Sequence, residues 1–173
     1  MPKVALSDMV CSIARTLDAI GERWTSLILR DLFVGLTRFE DIRRDLGIAS
    51  NVLAARLEAL QAHGIVETRV YQSNPVRHEY LLTAKGRDLY PVLTMLVAWG
   101  DTWLAGEAGP PALVVHDDCG KVTAGVVVCR ECGSALTADN VRFHQGPGGQ
   151  RGPGTMLVGD HMVPPSGSLE PSA

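Results

Sequence analysis

No apolar run in this 173-residue sequence approaches the ~18 residues of a membrane-spanning helix, so a membrane partner is not expected. The first residues, MPKVALSDMVCSIART, lack a basic segment followed by an apolar run and a small-residue cleavage site. Ser7, Asp8 and Ser12 interrupt the apolar positions, so a signal peptide is not expected and a cytoplasmic location is. No internal repeat is evident. Catalytic constellations are missing too. The five histidines (His63, His78, His116, His144, His161) are scattered, and no serine or cysteine nucleophile sits in a recognisable setting. The glycine-rich stretch 146–154 follows no strand-to-helix pattern, which argues against a phosphate loop. An enzyme is therefore not expected. An excess of positive charge is also lacking, since the net charge is −3. The distribution matters more than the sum. Residues 1–105 hold 12 Lys/Arg and 12 Asp/Glu, whereas residues 106–173 hold 4 and 7. All the net acidity lies in the second part, and the first has room for a local basic face.

What is present is enough for a packed core, with 46% hydrophobic and 20% charged residues. Three regions separate by composition. Residues 8–105 alternate helical periodicity with one pair of strand-like runs. After the breaker cluster Gly106–Pro111, residues 112–144 turn β-like and cysteine-rich. From Gln145 to Ala173 Gly, Pro and Ser dominate, a composition that predicts a disordered tail.

Within the first region, Ser7 or Asp8 is expected to cap a helix that runs to Ile20 and stops at Gly21. Trp24, Leu27, Ile28, Leu29, Leu32 and Phe33 make the next helix apolar nearly all round, as suits a central one. Thr37-Arg-Phe-Glu40 reads as a capping box opening a third helix, with Phe39, Ile42 and Leu46 inward and Gly47 as its stop. Ser50 is expected to cap a fourth, with Leu53, Leu57 and Leu60 inward and His63-Gly64 at its end. Two short helices joined by Gly47-Ile-Ala-Ser50 make a helix-turn-helix. Ile65–Tyr71 and Arg77–Leu82, around the turn Gln72–Val76, predict a β-hairpin, the wing. Thr83 caps a last long helix, with Leu89, Val92, Leu93, Leu96 and Trp103 on one face and an expected kink at Pro91. The predicted fold is mainly α with a small β wing (α+β): a winged helix-turn-helix, then a small cysteine-rich β ribbon and the tail.

Five blocks carry a family likeness: CSIARTLDAIGERWTSLILRDL (11–32), RFEDI (38–42), VLAARLEALQAHGIV (52–66), YLLTAKG (80–86) and LVAWGDTW (96–103). In that order they resemble the HxlR family of bacterial regulators, winged-helix proteins related to the MarR group. The resemblance covers about residues 8–104. It implies a homodimeric transcriptional repressor or activator, with the first and last helices in the dimer contact and a palindromic double-stranded DNA operator; repression is the mode expected here.

In such a protein the start of the second helix of the motif meets base edges. Ser50, Asn51 and Ala54 occupy that place: Asn51 suits adenine, Ser50 a phosphate or a base, and alanine a thymine methyl. Arg56 lies on the flank of the buried face, where it serves either as a phosphate contact or as an internal ion-pair partner. Glu58, on the exposed side, opposes phosphate. Electrostatic affinity is therefore assigned to Arg38 and Arg44 on the preceding helix and to Arg69, Arg77 and His78 on the wing. A winged helix used for protein–protein contact is the competing reading. Met95, Trp99 and Trp103 either line a pocket for a small-molecule effector or, the commoner use of such residues, belong to core and dimer contact.

His116-x2-Cys119-x9-Cys129-x2-Cys132 has the spacing of two short ligand pairs, which predicts a structural Zn2+ in a small ribbon around a hairpin at 121–128. A redox dithiol at Cys129 and Cys132 is the alternative, without a βαβ context to support it. Cys11 matches a position where many HxlR-like proteins carry a cysteine that in some senses electrophiles or oxidants. The other reading of Cys11 is a small buried hydrophobe.

Overall fold

The computed structural model describes residues 4–162. A one-turn 3-10 helix (Leu6–Asp8) precedes α1 (Ser12–Ile20), whose N-cap is Cys11. The expected start at Ser7 or Asp8 is thus corrected: residues 9–11 leave the helical conformation, and α1 begins a turn later. Two compact units follow from the contacts, one of residues 23–127 and one of residues 1–22 with 128–173.

In the first unit, α2 (Thr25–Phe33), α3 (Phe39–Leu46) and α4 (Ser50–Ala62) precede an antiparallel hairpin, β1 (Val66–Ser73) and β2 (Val76–Leu82). Ile28, Leu29 and Leu32 of α2 meet Ile42 of α3, Leu53, Leu57 and Leu60 of α4, and Ile65 and Val66 as buried apolar side chains. Their spacing of three and four is what places them on one face of each helix. Gly47 closes α3 at φ +61°, a left-handed conformation that side chains resist, and so turns the chain into α4.

Three local expectations fail here. The Thr37–Glu40 capping box does not form: Arg38 is the N-cap of α3, and the Thr37 hydroxyl donates to Glu79 on the wing instead. Ser50 does not cap α4; Ala49 is the N-cap and Ser50 is the first helical residue. Pro91 does not kink a continuous helix. The chain makes a short α5 (Ala84–Arg87) and restarts as α6 (Tyr90–Trp103), with Pro91 in the first turn, where its missing N–H costs nothing. The cap at Thr83 is present, its Oγ1 accepting the Gly86 N–H at 3.1 Å.

After α6, β3 (Val114–His116) and β4 (Lys121–Thr123) form a second hairpin. It lies earlier than the hairpin expected at 121–128, with no strand beyond Thr123 among the described residues and an isolated bridge at Val128–Ala135. In the second unit, residues 145–162, expected as part of the tail, carry hydrogen-bonded turns and a 3-10 turn at Val158–His161. The rest of that tail, 163–173, lies outside the described residues.

Candidate nucleic-acid interface

The turn at Gly47 presents the first residues of α4 to solvent. Ser50, Asn51, Ala54 and Ala55 are exposed, and Glu58 is exposed one turn further on. Leu53, Leu57 and Leu60 hold the opposite face in the core. Arg56 is half-buried and already engaged in an interaction. On α3, Arg44 is exposed and forms no ion pair among the described residues, whereas Arg43 is paired with Glu40 at 2.9 Å.

The wing is tied to α3 through residues 37 and 38. The Tyr80 N–H donates to the Thr37 carbonyl at 2.7 Å, and Arg38 bridges to Glu79, so this short segment runs as a third strand beside β2. The Arg38 guanidinium stacks on the Tyr71 ring, 4.6 Å from its centroid. With Phe39, Asp41, Arg77 and His78 these two side chains border an open hollow of about 470 Å3 between the start of α3 and the wing. Arg77 and His78 are exposed, and Arg77 has no ion-pair partner among the described residues.

Arg69 differs from the other wing cations. Its Nε donates to Glu79 Oε1 at 2.9 Å and its Nη2 reaches the same oxygen at 2.8 Å. Glu79 Oε2 accepts the Thr37 hydroxyl at 3.2 Å. The Arg69 hydrogen bonds, then the Thr37 hydroxyl and the Arg38 charge, hold the Glu79 carboxyl below its ordinary 4.5. Thr37, Tyr71 and Glu79 border this face and were missed by sequence reasoning. No local signal marked them, because Arg69 comes opposite Glu79 only through the irregular register of the hairpin.

The cysteines fall into separate places. His116 and Cys119 share the turn between β3 and β4, with Cys119 Sγ 3.4 Å from His116 Nδ1. Cys129 and Cys132 share a second tight turn, closed by Gly133 N–H to the Cys129 carbonyl at 2.8 Å and Cys129 N–H to the Ser134 carbonyl at 2.7 Å. The Ser134 hydroxyl and N–H, with Cys129, pull the Cys132 thiol below its ordinary 9.0. Among the described residues no group of three or more His, Cys, Asp or Glu is gathered closely enough to hold a metal. Cys11 is half-buried at the N-cap of α1. Trp99 and Trp103, expected in an effector pocket or in core and dimer contact, are 58% and 71% exposed, so they are not core residues of the single chain.

A three-helix core, a helix-turn-helix with its second helix open at the N-terminal end, and a hairpin flanking it define a winged helix-turn-helix protein. Residues 19–108 match the HxlR-like helix-turn-helix family, and the chain belongs to that family. Similar sequences include the uncharacterized HTH-type transcriptional regulator Mb3122 of Mycobacterium bovis, 43% identical over 137 residues, 79% of this chain and 87% of the relative. Another, sll1512 of Synechocystis, is 38% identical over 100 residues, 57% of this chain and 74% of the relative. Among solved structures, the candidate transcription factor PA1607 superposes with a TM-score of 0.75 at 36% identity, covering 83% of this chain and all of its own. The redox regulator HypR, in its oxidized form, gives 0.50 at 35% identity, covering 53% and 95%. No helix among the described residues is long and apolar enough to cross a membrane.

Proposed function

We propose that this chain is a homodimeric, sequence-specific repressor that binds a palindromic operator. The helix around residues 50–63 enters the major groove, and the wing, about 65–82, lies on the backbone. The observation that carries this reading is the open N-terminal end of α4, with Ser50, Asn51 and Ala54 exposed, flanked by the unpaired cations Arg44 and Arg77. Neutral side chains at the base edges leave phosphate neutralisation to the flanking elements. A dimer doubles those contacts. Its seam is supported by α6, where Val92, Leu96, Trp99 and Trp103 recur at spacings of four, three and four and all stand exposed.

The test is a gel shift with the DNA upstream of the chain's own gene, at two salt concentrations, for wild type and Arg77→Ala. Wild type should shift this DNA and release it as salt rises. Arg77→Ala should bind all sequences more weakly, with a salt slope shallower by about 0.9 per lost phosphate contact. No binding by wild type at low salt would overturn DNA binding in favour of a protein–protein role. An unchanged slope in Arg77→Ala would remove the wing from the interface.

Two accessory features belong to this proposal. His116 with Cys119, and Cys129 with Cys132, each offer two donors on one tight turn, which supports a structural Zn2+ as the ribbon's cofactor. Purified protein should carry zinc and lose it in Cys129→Ser; metal-free wild type ends that reading. Cys11 at the N-cap of α1, together with the likeness to HypR, supports a thiol switch as the signal. Diamide should then release the operator from wild type and not from Cys11→Ser. A small-molecule effector is the competing signal.

A further inference from the structure

Arg69 is the wing cation with a carboxylate already on it. Two of its five N–H donors converge on Glu79 Oε1, at 2.9 and 2.8 Å, while its side chain remains 67% exposed. Glu79 is the more enclosed partner, 16% exposed, and its other oxygen is fixed by the Thr37 hydroxyl. Arg38 pairs with Glu79 on the opposite edge of β2. One carboxylate thus stands in a row between two guanidinium-bearing residues. An anion fixed from behind and an exposed guanidinium in front form an arrangement in which a second anion from solvent can take the guanidinium over.

We propose that Glu79 is an affinity-setting residue of the wing: it holds Arg69 as an internal counterion in the free protein and yields it to a backbone phosphate on DNA. The inference rests on the DNA-binding reading above and deepens it. While Arg69 stays paired it adds no net charge to the wing, so distant DNA is not attracted by it. The guanidinium acts only when a phosphate comes within hydrogen-bond reach, and Glu79 then opposes that phosphate at short range. Glu79 therefore lowers affinity for all duplexes and reduces the number of counterions released. Replacement by glutamine removes the charge while its amide oxygen still accepts from Thr37.

The experiment measures duplex affinity against salt for wild type, Glu79→Gln, Arg69→Ala, the double variant and Glu67→Gln. Glu67 is an exposed carboxylate on β1, the strand of Arg69, with no ion pair among the described residues, and it controls for a general charge effect. Each variant's thermal unfolding confirms that the wing is folded. Glu79→Gln should bind several-fold more tightly at low salt, with a slope steeper by about 0.9 per protomer. The double variant should lose that gain, and Glu67→Gln should stay near wild type. Equal slopes in wild type and Glu79→Gln, a gain that survives in the double variant, or an equal gain in Glu67→Gln would each overturn the proposal. Failure of wild type itself to bind duplex would instead overturn the function on which it rests.

Discussion

Asp31 is 1% exposed, and its Oδ2 has no hydrogen-bond partner, while Oδ1 takes two bonds from Arg30 at 3.0 and 2.7 Å. Burial pushes this carboxyl above its ordinary 3.8, against the pull of the Arg30 guanidinium, which also reaches Asp45 of α3 at 2.8 Å. The native state then holds the Asp31 proton more tightly than the unfolded chain does. Stability from this residue rises as pH falls through its raised folded value. Glu79 has the opposite sign: its contribution is complete above the ordinary 4.5 and is lost as pH falls through the lower folded value. Denaturant unfolding from about pH 7 to about pH 4 should therefore show wild type gaining on Asp31→Asn as the solution is acidified. A difference between the two that does not change with pH would remove Asp31 from the acid response. Asp31 was not legible as special in the sequence, because only the packing of α2 decides that a carboxylate there is enclosed.

At the scale of elements, the junction of wing and α5 depends on one close approach. A Cβ on Gly86 would meet the Ile65 carbonyl oxygen at 2.2 Å, with Leu82 Cδ2 at 3.1 Å. Gly86→Ala should cost about 2–3 kcal/mol in denaturant unfolding, because backbone cannot step aside as a side-chain end can. Gly100, in the interior of α6, has nothing within 4 Å of its would-be Cβ. Gly100→Ala should be neutral or gain about 0.5–1 kcal/mol from helix propensity. If both substitutions cost the same, the packing argument for Gly86 is wrong. The elements themselves were well announced: α2, α3, α4, the hairpin and the Thr83 cap follow from apolar spacing and turn residues. Their ends were less so. Thr37 and Ser50 both carry the chemistry of a helix cap, yet Ser50 enters the helix and Thr37 serves the wing, where a cap worth about 1 kcal/mol yields to the Glu79 carboxylate across the fold.

For the whole molecule, the unresolved account is that of α6, a 14-residue helix with no buried side chain in the single chain. A helix with Val92, Leu96, Trp99 and Trp103 exposed along one stripe needs a cover, and a two-fold partner offers the same stripe in return. Leu96→Glu places two carboxylates in that seam. Sedimentation should show it as a monomer where wild type is a dimer, and its operator affinity should fall by orders of magnitude as the two half-sites bind independently. A dimeric Leu96→Glu would move the interface off α6.

By itself the sequence determined that this chain makes a helix-turn-helix with a wing, since those elements are encoded by neighbours three or four residues apart in a helix or two apart in a strand. It also determined that the cations would lie on α3 and the wing. Which of those cations are available was decided by the tertiary structure. Counting inward from the two-residue turn at Asn74-Pro75, an even ladder would pair Arg69 with Tyr80. The irregularity at Tyr71 shifts the register by one and sets Arg69 opposite Glu79. That carboxylate lies 10 residues from Arg69 and 42 from Thr37, and both bonds form only once the strands are in register. A local pattern cannot carry such a partnership, because a single extra residue in one strand exchanges every side chain that faces it.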